Sequence, residues 1–132
     1  MKKNKINAYL LRVDEKSGAV YHGYMAEVDN DLKAEQLYVN YNQPHALIEV
    51  IRLNDQIVAI MNEEGKIKNF YVNRILMGAN EKVLDFIAGN IMCVRCDVNG
   101  DGEFTSILPS DIPIIEKILV PVVKSKYMKE WH

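Results

Sequence analysis

The chain has 132 residues, 48% of them hydrophobic and 26% charged, with a formal net charge of −2. That length builds one domain with a real core, and the charge excludes a dedicated nucleic-acid-duplex binder, which needs a clearly basic face. No stretch nears the roughly 20 apolar residues of a membrane span. Met1-Lys2-Lys3-Asn4-Lys5 also lacks the apolar run that follows in a signal peptide, so a soluble cytoplasmic protein is expected.

Residues 6–13 and 19–28 alternate apolar and polar side chains, and Asp14-Glu15-Lys16-Ser17-Gly18 between them is a polar turn ending in glycine. They read as a hairpin. On the second strand Val20, His22, Tyr24, Ala26 and Val28 share a face. No acid or nucleophile is placed to pair with His22, so it reads as a half-buried sheet residue and not as a general base. Asp29-Asn30-Asp31 caps a short helix over 31–40, with Ala34, Leu37 and Tyr38 at helical spacing, and Asn40 to Pro44 breaks it.

Three runs follow at 47–53, 57–61 and 67–72, separated by Asn54-Asp55-Gln56 and by Asn62-Glu63-Glu64-Gly65. They predict a three-stranded meander. Both faces of Ile57-Val58-Ala59-Ile60-Met61 are apolar, which demands a central strand with something packed on each side. Asn80 then caps a predicted helix whose stripe is Val83, Phe86 and Ile87, ended by Gly89.

Ile91-Met92-Cys93-Val94-Arg95-Cys96 reads as the first arm of a last hairpin, with 103–108 as the second. Its turn contains Asp97, Asn99, Asp101 and Gly102, half of a helix-loop-helix calcium site. The bidentate carboxylate at the twelfth position is missing, since Leu108 stands there, and a strand precedes the loop where a helix should. Asn-Gly and Asp-Gly pairs between β-rich runs favour a turn, so no metal is expected. Cys93 and Cys96 have C-x-x-C spacing without a second pair, and in a strand they point to opposite faces. They read as small buried hydrophobes.

A final helix starts at Ser110 or Asp111, with Pro113 in its first turn and Ile115, Ile118 and Leu119 facing the core. Pro121 kinks or restarts it, leaving a helical tail over 121–132 that carries Tyr127 and Trp131 among cations. The tail is read as a solvated helix end with its aromatics on the body; the sharper reading is a partner or self-association surface. The fold expected is a single α+β domain over 1–132, mostly antiparallel sheet, built from an N-terminal hairpin, a central meander and a C-terminal hairpin with two or three short helices.

From Asp29 to about Leu119 the order of features resembles the family known as domain of unknown function 3846, small proteins of bacteria, phages and plasmids. The matching pieces are Asp29-Asn30-Asp31-Leu32, Ile48-Glu49-Val50, Asn62-Glu63-Glu64-Gly65-Lys66, Asn73-Arg74-Ile75-Leu76, Asp85-Phe86-Ile87-Ala88-Gly89 and Gly102-Glu103-Phe104-Thr105-Ser106-Ile107-Leu108. Ala46-Leu47 departs from the glycine that the family tends to place before its Ile-Glu-Val strand. The resemblance implies an α+β fold and a mobile-element setting; it implies no activity.

The residues whose chemistry exceeds a turn role are Asn62 and Glu63 at one strand end, and Tyr71, Asn73 and Arg74 around the next, with Arg52 as a further cation. Arginine offers a rigid donor fork to phosphate or carboxylate, and asparagine offers donor and acceptor to a base or ribose. The plainer reading is that Asn62 caps a turn, Asn73 satisfies backbone and Arg74 pairs with Glu63 or Glu64. The expected function is a non-catalytic binding protein of a phage or mobile element, sequestering a small phosphorylated or nucleotide-type ligand or a host defence component, with no cofactor. An interaction or homo-oligomerisation module using the tail or a sheet edge is the alternative. A nucleotide hydrolase with Glu63 or Glu64 as base is weaker, because no phosphate loop, triad or metal cluster accompanies it.

Overall fold

The computed structural model describes residues 4–98, 102–123 and 127–130. In chain order its elements are strands β1 (Lys5–Leu11) and β2 (Tyr24–Asp29), helix α1 (Leu32–Val39), strands β3 (Ile48–Arg52), β4 (Ile57–Asn62), β5 (Val72–Met77), β6 (Val83–Ala88) and β7 (Ile91–Arg95), helix α2 (Ile112–Ile118) and strand β8 (Leu119–Pro121). They form an α+β domain with two antiparallel sheets, one in the order β2-β1-β7-β4-β3 and one in the order β6-β5-β8.

The apolar character of β4 at consecutive positions follows from its place inside the larger sheet. Alternate side chains of a strand point to opposite faces. Ile57, Ala59 and Met61 join Leu11, Ile91 and Cys93 in a core that also takes Ile87, Ile115 and Leu119 from the smaller sheet and α2. Val58 and Ile60 join Leu10, Met92 and Val94 in a second core closed by Val39 of α1. All six residues of β4 are buried, as the two-faced pattern requires. Cys93 and Cys96 fall in opposite cores as free thiols.

The N-terminal hairpin forms as expected. Asp14 Oδ2 accepts the Lys16 and Ser17 amides, and Gly18 takes φ +76°. A Cβ at Gly18 would stand 2.7 Å from Cδ1 of Tyr71, so both the conformation and the space require glycine. Helix α1 starts where the cap predicts, with Asp31 Oδ1 accepting the Ala34 amide at 2.7 Å, and ends at Asn40.

Three expectations are corrected. The third strand of the meander does not form over 67–72. Lys68 and Phe70 donate back to the Glu64 and Gly65 carbonyls, and Ile67 is 79% exposed. The neighbour of β4 is instead β7, whose own two-faced apolar run fills the sheet interior, and β5 begins at Val72 in the other sheet.

The helix expected after Asn80 is strand β6. Asn80 and Glu81 both take left-handed φ, at 59° and 56°, and Gly78 donates to the Lys82 carbonyl, so the chain turns through a hairpin. The spacing of Val83, Phe86 and Ile87 mimicked a helical stripe, but only Ile87 of the three is buried.

Near the C-terminus, α2 stops at Ile118 and Leu119–Pro121 pairs with β5. Proline at the end of an edge strand removes no ladder bond. Of the tail expected to be helical over 121–132, Pro121 thus lies in a strand, while Lys129 bridges Tyr21 in parallel and Tyr127 is exposed.

The last hairpin is reduced to one bridge, with Arg95 and Thr105 exchanging both backbone bonds at 3.0 and 2.8 Å. Ile107 then donates to the Asn7 carbonyl and returns the chain to β1. Asn99 and Asp101 of the calcium half-motif lie outside the described residues, as do Trp131 and His132. Among the described residues no group of three or more His, Cys, Asp or Glu could hold a metal ion, and no helix is long and apolar enough to cross a membrane.

Candidate functional site

The six residues singled out from sequence do not share one cavity. Asn62 is buried at the end of β4, where Nδ2 donates to the Asn40 side chain and the Val39 carbonyl while Oδ1 accepts the Glu64 amide. Glu63 beside it is exposed, and the pair lines a cavity of about 90 Å³ against β6. The Tyr71 hydroxyl donates to the Lys16 carbonyl at 3.3 Å. Arg52 folds back onto its own sheet, with NH1 donating to the carbonyls of Asn54, Asp55 and Cys96. It also edges a wide cleft of about 930 Å³ whose other walls include Leu53, Leu76, Leu84 and Ile118.

Asn73 and Arg74 do come together, deep in the protein. Asn73 Nδ2 donates to the carbonyls of Leu11 and Gly89, both at 2.9 Å, pinning the start of β5 to β1 and to the β6–β7 turn. Its Oδ1 accepts Arg74 NH1 at 2.6 Å. Arg74 NH2 donates to the Tyr21 carbonyl at 2.9 Å. Successive strand residues normally point to opposite faces, and here both are buried because β5 has a register shift between Val72 and Arg74.

Arg74 is the unusual member. It is only 2% exposed, yet it forms no ion pair with a described carboxylate, neither Glu63 nor Glu64 included. Its hydrogen-bonded oxygen partners, the Asn73 side chain and the Asn73 and Tyr21 carbonyls, are uncharged. A buried charge without a counter-charge is costly, and burial pushes its pKa down to about 10. It remains a cation at neutral pH.

This guanidinium lines a cavity of about 290 Å³ together with Tyr9, His22, Gly23 and Glu116. The Tyr9 hydroxyl donates to Glu116 Oε1 at 2.6 Å. Burial first, then this bond to a carboxylate, raises the Tyr9 pKa, so the phenol stays protonated and can donate. The wall therefore holds a cation, an anion and a phenol, with an imidazole beside them. Tyr9 and Glu116 were not read as site residues, because they are 107 positions apart. The alternation of β1 marks Tyr9 as core, and nothing in the sequence signals its carboxylate.

The family model described as a domain of unknown function (DUF3846) matches residues 10–119. The chain belongs to that family. The match runs from Leu10, near the end of β1, to Leu119, the first residue of β8, and so includes Arg74 and Glu116 but not Tyr9. Neither the curated proteins nor the solved structures yielded a match.

Proposed function

We propose that this DUF3846 protein is a non-catalytic binding protein whose ligand is a small acid, phosphorylated or carboxylic, that also carries a hydroxyl or amino group. The observation that carries this reading is the enclosed Arg74 guanidinium, which lines a cavity without an ion pair to any described residue. That guanidinium would take the anionic group, and Glu116 would accept from the ligand's hydroxyl or amine. A volume of about 290 Å³ lies at the lower bound of ligand sites, which favours a phosphomonoester or small organic acid over a whole nucleotide. In the mobile-element setting that the family resemblance implies, binding would act by sequestering the ligand.

Calorimetric titration with inorganic phosphate, glycerol phosphate, a nucleoside monophosphate and malate tests the reading. Saturable heat is expected from at least one, lost in Arg74→Met. Glu116→Gln, on an exposed side chain, should tighten a bare anion such as phosphate by removing the opposing charge. No saturable heat from any of the four, or heat unchanged in Arg74→Met, overturns it.

A further inference from the structure

Sheet edges carry unpaired backbone groups, and folded proteins protect them with bulges, prolines, charges or covering segments. Three of the four edges here carry a bulge, a proline or like charges. The approach to β2 is paired with Lys129, whose amide donates to the Val20 carbonyl and whose carbonyl accepts the His22 amide, and β2 itself carries two like charges, Glu27 and Asp29. Strand β6 has two register shifts against β5 and carries the Lys66–Asp85 ion pair. Strand β8 has three residues and ends in Pro121.

Strand β3 has no bulge, proline or covering segment among the described residues, and its two charges, Glu49 and Arg52, are of opposite sign. Its five residues pair with β4 in unbroken register, without proline or glycine. The Leu53 amide donates to the Ile57 carbonyl, and the Glu63 amide donates to the Leu47 carbonyl, so positions 47 and 53 face β4. Alternation along an antiparallel strand then turns the backbone groups of Ile48, Val50 and Arg52 outward. No described residue bonds the Ile48 or Val50 backbone on that side. Leu47 and Val50, 55% and 44% exposed, lie along the same edge.

We propose that β3 is the interface for a second copy of this chain, paired antiparallel to its own β3 about a two-fold axis at Val50. That register sets Val50 against Val50 and Ile48 against Arg52 of the second copy, so all three outward-facing residues find partners of matching hydrogen-bond phase. It also sets Leu47 against Leu53 and Glu49 against Ile51, covering the exposed leucine. No charge stands directly opposite its like, the arrangement that disfavours cross-strand pairing. An interface of this kind is self-complementary and closes at two subunits.

Sedimentation of the full chain tests this, together with Val50→Lys and Val50→Glu. Val50 is on the surface, so both variants should keep the circular dichroism of the parent. The parent should dimerise with concentration. Each variant alone should weaken dimerisation by about tenfold or more, since like charges then meet at the axis, and an equimolar mixture of the two should regain the dimer. The Val50 amide should exchange more slowly in the dimer. A parent that stays monomeric at the highest attainable concentration overturns the proposal and leaves the edge to a foreign strand. Dimers unaffected by the single charges, or a mixture no more dimeric than its components, overturn it as well.

Discussion

Arg95 and Arg74 are both drawn into the fold, and the protein treats them in opposite ways. Arg95 meets a carboxylate in a two-point fork, Nε to Asp111 Oδ2 at 2.8 Å and NH2 to Oδ1 at 3.0 Å. Asp111 Oδ2 also accepts the Leu108 amide. The pair fastens the approach to α2 onto β7, and both charges are answered. Arg74 is more deeply enclosed and hydrogen-bonds only to neutral oxygens, with the Glu116 carboxylate acting on it through space. The framework charge is paired within the chain, whereas the one beside the cavity has no ion pair to a described carboxylate and is the group that the proposed ligand would meet.

The largest effect should come from breaking the paired case. Arg95→Met leaves Asp111, whose side chain is 3% exposed, without its partner, and removing one member of such a pair costs about 3 kcal/mol. Chemical denaturation measures it. Burial pushes the Asp111 carboxyl upward, but Arg95 and the Leu108 amide outweigh that and hold it below its ordinary value. With a lowered folded pKa, the stabilisation is present at neutral pH and lost as pH falls through that value. In Arg95→Met only the Leu108 amide is left to oppose burial, the larger of the two, so the sign should invert and acid should now stabilise at this group.

Arg74→Met should cost less, no more than about 1–2 kcal/mol, because the lost hydrogen bonds are offset by removal of a desolvated charge. A loss equal to that of Arg95→Met would make Arg74 a framework staple and collapse the contrast.

Glu35 sharpens the contrast with a buried charge answered by titration. It is 5% exposed on α1, and burial, reinforced by Asp31, raises its pKa to about 7. A raised carboxyl binds its proton in the folded state while the unfolded chain has released it. Stability should therefore fall as pH rises from about 4.5 to 7, on the order of 1 kcal/mol per unit. Glu35→Gln should flatten that slope and be the more stable protein at pH 8; an unchanged slope would place the titration elsewhere.

Legibility in the sequence divides along the same line between local and distant causes. The Asp14–Gly18 turn, the Asp31 cap and the two-faced run of β4 were readable because each is decided by neighbours in the chain. Strand β6 was not. Val83, Phe86 and Ile87 fit a helical stripe, and what overrode it was pairing with β5 and two left-handed residues at Asn80 and Glu81. Asn73 and Arg74 were picked out for their chemistry, but Asn62, Tyr71 and Arg52 were satisfied by segments that no periodicity places beside them. The partners of Arg74 in its cavity come from β1 and α2, and only the folded chain brings those together.

The smallest effect concerns Glu116, the carboxylate whose field reaches both Tyr9 and Arg74. Its side chain is exposed, so Glu116→Gln should change stability by less than about 1 kcal/mol. Its signature is electrostatic instead. The Tyr9 hydroxyl should ionise at lower pH than in the parent yet still above an ordinary tyrosine, since burial, the larger cause, persists. Ultraviolet difference titration, with Tyr9→Phe to assign the signal, reads this directly. The same substitution removes an anion that holds up the Arg74 pKa, so the guanidinium becomes still less compensated and its demand for an external anion grows. If Tyr9 titrates unchanged in Glu116→Gln, the carboxylate does not govern this cavity, and the contrast between the two arginines must rest on Arg74 alone.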